Sequence, residues 1–235
     1  MSKFAFLLKQ LDAYDAMAQH QDPILAKRFI QVQNWQKQRV QYTHQALFNT
    51  KQHRLISHYF LNRLYGASDF DQLAFQLRRI ANHAHLVEKI IPANALKTGD
   101  AAIELAYLSL RLDEDIAQYL LKHFPADYEL NDEIMRQAYL QCDQYSLRCQ
   151  QMALLDTLGE KLDLYLRSRI VKTAFKLSKG MAYRYKVDPI YEFINEGFQA
   201  MEPLQSAKIF IQGFTQKERQ IIEAVHNGHP RPFEL

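Results

Sequence analysis

Apolar residues recur at three- and four-residue intervals along almost the whole chain, the period of helices buried on one side. The pattern predicts helices near residues 3–20, 23–49, 52–65, 70–91, 100–124, 131–157, 160–186, 189–201, 204–213 and 216–227. Helix punctuation falls between them. Asp22-Pro23 and Asp188-Pro189 each place an N-cap acceptor before a proline at the first helical position, where a missing N–H is no loss. Thr215 with Glu218 has the spacing of a capping box, and Ser68 with Asp71 is a weaker version. Gly66, Gly99 and Gly228 suit left-handed positions at helix ends. Ile91-Pro92, Phe124-Pro125 and Glu202-Pro203 mark breaks, because the residue before proline avoids the helical region. The expected fold class is all-α, a single-domain helical bundle of about ten helices spanning 1–235. Its short connections make consecutive helices antiparallel neighbours. An internal seam is expected near 125–130, and 228–235, with Pro230 and Pro232, reads as irregular.

Composition narrows the class. Only 7 Gly and 7 Pro occur in 235 residues, which excludes collagen-like and disordered chains and disfavours all-β folds and glycine-rich nucleotide loops. A hydrophobic share of 48% suffices for an ordinary core. The two cysteines, Cys142 and Cys149, fall in one predicted helix, two turns or roughly 10 Å apart, too far to bridge. The apolar cluster Phe4 to Leu8 is too short for a secretory signal, and no run reaches the roughly 18 to 20 apolar residues that cross a bilayer. The expected location is the cytoplasm, with reduced thiols.

Charge changes the picture through its distribution. The net charge is only +3, yet residues 161–186 carry eight Lys/Arg against one acid, Asp163, leaving −4 for the remainder. Read as one helix, this stretch places Arg169, Lys172, Lys176 and Lys179 within an arc of roughly 80°, with Tyr165 and Tyr183 inside it. Leu166, Ile170, Val171, Ala174, Phe175, Leu177 and Met181 take the opposite side. Such a stripe suits nucleic-acid phosphates or anionic lipid headgroups. The plainer alternative is a solvated face paired with acids such as Asp113, Glu114 and Asp115. Arg167 lies at the apolar side and follows Asp163 by four residues, the order of an i, i+4 ion pair, which is either buried and satisfied or faces a cavity or partner; the buried pair is the leading expectation.

The block Trp35-Gln36-Lys37-Gln38-Arg39, followed by Tyr59-Phe60-Leu61-Asn62-Arg63-Leu64-Tyr65-Gly66 and Asp69-Phe70, resembles the uncharacterised bacterial FFLEELY-motif family. The likeness extends to Ala102–Leu112 and to Phe193-Ile194-Asn195-Glu196-Gly197-Phe198. It implies no activity. The chain departs from the motif at Asn62 and Arg63, where the motif name carries two glutamates. The departure favours a structural reading of Tyr59, Phe60, Leu64, Tyr65, Gly66, Asp69 and Phe70: a helix stop, a cap and an aromatic anchor at a corner.

Chemistry-bearing motifs are scarce. Glu223-Ala-Val-His226 is a lone Glu-x-x-His without the second copy that a di-iron bundle needs, and His226 suits a helix C-terminus. His83 and His85 fall on different faces, as do His53 and His58. No metal, cofactor or catalytic residue is assigned, there being no Gly-x-Ser-x-Gly elbow, phosphate loop or His-Glu-x-x-His. Trp35 and Arg39 have the spacing of a cation–π pair. The leading expectation is a non-catalytic protein that associates through helices, as a homodimer. The alternatives are a binder of anionic lipid or nucleic acid through the 165–186 face, and an enzyme or small-molecule binder with a pocket between helices.

Overall fold

The structure, a computed structural model, describes residues 4–64, 70–82 and 93–235. It is all-α, with eleven α-helices and no strand among the described residues. They are α1 (Ala5–Asp15), α2 (Pro23–Thr43), α3 (Gln45–Phe48), α4 (Arg54–Tyr59), α5 (Phe70–Asn82) and α6 (Ala93–His123). There follow α7 (Asp132–Gln141), α8 (Tyr145–Arg167), α9 (Arg169–Arg184), α10 (Asp188–Met201) and α11 (Ala207–His226). No helix is long and apolar enough to cross a membrane among the described residues.

Two apolar clusters share α2 and α11. One gathers Leu11, Phe29, Val32, Ile116, Leu120, Met135, Ile221 and Val225, and the other Val40, Phe48, Tyr59, Phe210 and Phe214. The long helices α2, α6, α8 and α11 pack against one another to frame both. Asp22 caps α2 as its sequence predicts, accepting from the N–H groups of Ile24 at 2.8 Å and Leu25 at 3.2 Å. The 125–130 segment is tied to α2: the buried Arg28 guanidinium donates to the carbonyls of Pro125 at 2.7 Å and Tyr128 at 2.9 Å.

Several boundaries move, each for a tertiary reason. Thr215 and Glu218 form no capping box; they lie inside a continuous α11, where Thr215 donates to Asp156 at 2.6 Å and Glu218 holds a buried arginine. The expected break at 158–159 is absent. A Cβ on Gly159 would come within 3.1 Å of Ile211, so this glycine permits close approach of α8 and α11 instead of ending a helix. Gly99 is likewise inside α6, whereas Gly228 has the expected left-handed φ of +74°. The real interruptions are Asp143, at φ +45°, and Ser168, whose side chain caps α9 by accepting from Val171 N–H at 3.3 Å. Cys142 and Cys149 therefore sit on either side of a break, not in one helix. Asp188 begins α10 itself without a side-chain cap.

The stretch 229–235 is less irregular than expected. Pro232–Glu234 makes a 3₁₀ turn that buries Phe233 against Trp35, with ring centroids 5.0 Å apart. The Arg39 guanidinium lies 6.0 Å from the Phe233 ring centroid, so Phe233 takes the cationic contact expected of Trp35.

Candidate interaction surface

The break at Ser168 decides what the basic stretch presents. Tyr165 ends up on α8, where its hydroxyl is 2.9 Å from Thr98 Oγ1, so it is not part of the α9 stripe. The stripe itself, Arg169, Lys172, Lys176 and Lys179, is exposed on α9. This helix contributes no buried residue and packs on α8 and α10, with Phe175 stacked on Tyr191 at 4.5 Å and edge-on to Phe198 at 5.0 Å. Its sequence holds five basic residues and no acid. Glu192 of α10 is the acid that reaches the stripe, 3.7 Å from Lys179 Nζ and accepting from the Tyr183 hydroxyl at 2.8 Å. Arg169, Lys172, Lys176 and Arg184 make no ion pair among the described residues.

The acids expected to neutralise the stripe are committed elsewhere. Asp113 and Glu114 are buried on α6, and Asp115 accepts from Gln144 at 3.1 Å. The apolar side of α9 also departs from expectation. Phe175 is packed, but Ile170 is 82% and Leu177 76% exposed, and Ala174 is exposed between them. A helix that meets its neighbours along one narrow face leaves the rest of a wide apolar stripe in water.

The Asp163–Arg167 pair forms at 3.1 Å, yet it is not the buried pair expected: the Arg167 side chain is 66% exposed and Asp163 only 15%. Asp163 is held by the start of α11, accepting from Ala207 N–H at 2.9 Å. Partial burial pushes its carboxyl up, but bonds from Ser206 and the α11 backbone, with Arg167 nearby, outweigh this and hold it below the usual range. Next to it is a cleft of about 100 Å³ bordered by Arg167, Lys172 and Glu202. A shallower cleft of about 300 Å³ lies between Trp35 and Leu130.

The motif block is brought onto α10. A π-turn over Phe60–Leu64 shifts the helical phase, burying Ile56, Tyr59 and Leu61 and leaving Leu55 and Leu64 about half exposed. The Tyr59 ring packs against Gly197, where an added Cβ would come within 3.1 Å of it, and its hydroxyl donates to the Phe193 carbonyl at 2.9 Å. Arg63 pairs with Glu196 at 2.8 Å, and Asn62 accepts from Lys37 at 3.0 Å. The two residues that depart from the motif thus make polar contacts with α2 and α10. Phe70 is buried against Tyr14, whereas Tyr65, Gly66, Ser68 and Asp69 lie outside the described residues, as do His83, His85 and Ile91-Pro92.

The chain matches the model of one protein family, Domain of unknown function (DUF8198), over residues 16–232. It belongs to that family. No curated protein and no solved structure matches it. The match spans α2 to α11 and thus includes both the α9 surface and the motif block.

Within this family member, a network of buried polar groups joins α2, α6, α7, α8 and α11, and the sequence pattern does not predict it. Arg39 donates to both carboxylate oxygens of Glu218, at 2.9 Å on one branch, and His44 Nε2 is 2.7 Å from the same carboxylate. The Gln36 amide donates to the Tyr139 hydroxyl and reaches Asp113 at 3.5 Å. Arg148 lies 3.8 Å above the Tyr139 ring and donates to Gln144 at 2.9 Å. Burial would raise the Glu218 carboxyl, but Arg39 and His44 prevail and hold it at about 2. Asp113 is the reverse case: burial outweighs Arg148, Gln36 and Arg39 and pushes it up to about 6. The Cys142 thiol, raised by burial and by Asp115 to about 11, is protonated at neutral pH and a poor nucleophile. Among the described residues no cluster of three or more His, Cys, Asp or Glu has the arrangement of a metal site.

The two carboxyls pull the pH dependence of stability in opposite directions. From roughly pH 4 to 6 folded Asp113 keeps a proton that the unfolded chain has lost, so stability falls as pH rises. Glu218 contributes stability that is complete above its ordinary value and lost as pH falls towards 2. Urea midpoints at pH 4.5 and 6.5 check the first limb. Asp113→Asn is expected to reduce the loss between these two pH values, and an unchanged difference would show that Asp113 ionises normally.

Proposed function

We propose that this family member acts by association, without catalysis, and that α9 is the face it offers to an anionic partner. One observation carries the reading: α9 buries none of its residues, holds five bases and no acid, and leaves Ile170 and Leu177 in water. A helix that gives so little to the core while exposing both charge and large apolar side chains has the character of a contact surface. The FFLEELY-motif resemblance fits this proposal through the packing of Tyr59 on α10, which also supports α9. Homodimerisation through α9 would set two strongly basic faces against each other, so an acidic partner suits the surface better.

Retention on heparin, used as a general polyanion, tests the reading. The full chain is expected to bind at low salt and elute as salt rises, with Lys172→Gln/Lys176→Gln eluting earlier. Identical elution of both proteins would remove α9 as the anion-directed face.

A further inference from the structure

We infer that α9 docks in the plane of an anionic lipid surface, an inference that rests on the association reading and names its partner. At about 100° per residue, Ile170, Ala174, Leu177 and Met181 form an apolar strip on α9. Arg169, Lys172, Lys176 and Lys179 form a basic strip on the same helix. Val171, Phe175 and Ala182 face inward between the two on the packed side. On the open side Thr173, Gly180 and Arg184 separate the strips, and all three are exposed. A surface laid against this open side meets apolar and basic side chains together.

Lipid answers both chemistries. Ile170 and Leu177 enter the acyl boundary while lysine and arginine stems lie along it with their charges at headgroup phosphates. Nucleic-acid backbones answer only the charge and leave Ile170 and Leu177 in water. A second copy answers only the apolar strip and opposes it with like charge. The dimensions argue the same way: a face about 24 Å long and about 10 Å wide falls well short of the roughly 800 Å² per partner of a stable protein interface. A fluid lipid surface needs no matching pockets for the two isolated aliphatic side chains.

Co-sedimentation of the full chain with two vesicle types tests this: phosphatidylcholine alone, and phosphatidylcholine with about 30% phosphatidylglycerol. Binding is expected to the anionic vesicles alone and to weaken with salt. Two variants of exposed positions, Lys172→Gln/Lys176→Gln and Ile170→Gln/Leu177→Gln, are each expected to lower the affinity about tenfold or more. Unchanged thermal unfolding verifies that both remain folded. Absence of binding to anionic vesicles, equal binding to neutral ones, or indifference to both variants overturns the inference. Tighter binding to duplex DNA than to vesicles also overturns it, as does a dimer by light scattering that Ile170→Gln/Leu177→Gln dissociates. Those last two outcomes leave α9 standing as an association surface. Loss of the lipid inference together with heparin elution indifferent to Lys172 and Lys176 removes both readings.

Discussion

Arg39→Met is expected to lower the unfolding free energy by about 3–5 kcal/mol, because it leaves Glu218 buried without its main counter-charge. Both side chains are below 10% exposed, and the carboxylate of α11 is bonded by Arg39 and His44 of the α2–α3 corner. With a urea slope of about 3 kcal/mol/M, the midpoint drops by about 1 M or more. The double variant Arg39→Met/Glu218→Leu is the decisive comparison. Replacing both charges by apolar groups removes the uncompensated carboxylate, so the double variant should be more stable than Arg39→Met alone. A single variant that unfolds near the wild-type midpoint would show that Glu218 is reached by water or neutralised. His44 belongs to the same network, so the loss is expected to be non-additive with His44→Ala.

The second large effect is expected at Phe214. This residue is 5% exposed, with its ring 4.3 Å from that of His44 and 5.1 Å from that of Phe60. Phe214→Ala should cost about 3–5 kcal/mol, combining lost transfer energy with a cavity that stacked aromatic neighbours cannot easily fill. Phe214→Leu keeps most of the volume and should recover the larger part of that loss. Chemical denaturation of both variants at one pH checks the order. Equal loss from Ala and Leu would mean that ring stacking on His44, not cavity volume, dominates here. The two predictions concern opposite sides of one junction, since His44 pairs with Glu218 through its edge and stacks on Phe214 through its face.

The legible part of this protein was its local grammar. Asp22-Pro23, Phe124-Pro125 and Glu202-Pro203 stand where helices start or stop, and Gly228 takes the left-handed turn its position suggests. These signals act through a residue's own backbone and its neighbours within one turn. The errors share the opposite character. A break was expected at 158–159, but the missing Cβ of Gly159 serves a helix far along the chain, and Thr215, which has the spacing of a cap, instead donates to Asp156 inside α11. The candidate surface was partly legible for the same reason. The bases of α9 were readable as a stripe, yet the turn at Ser168 moved Tyr165 off that stripe, and Arg167 proved exposed because Asp163 serves α11.

By itself the amino-acid pattern determined an all-helical chain, the main helix-bearing stretches and the concentration of positive charge after residue 160. Periodicity and composition suffice there, because helix formation depends on contacts three and four residues apart. Only the tertiary structure decided that Glu218 meets Arg39 across 179 residues, that Asp113 meets Gln36, and that α9 leaves Ile170 and Leu177 uncovered. An apolar residue at helical spacing records that a helix has a side to bury. Whether a neighbour arrives to bury it depends on how all the other helices pack.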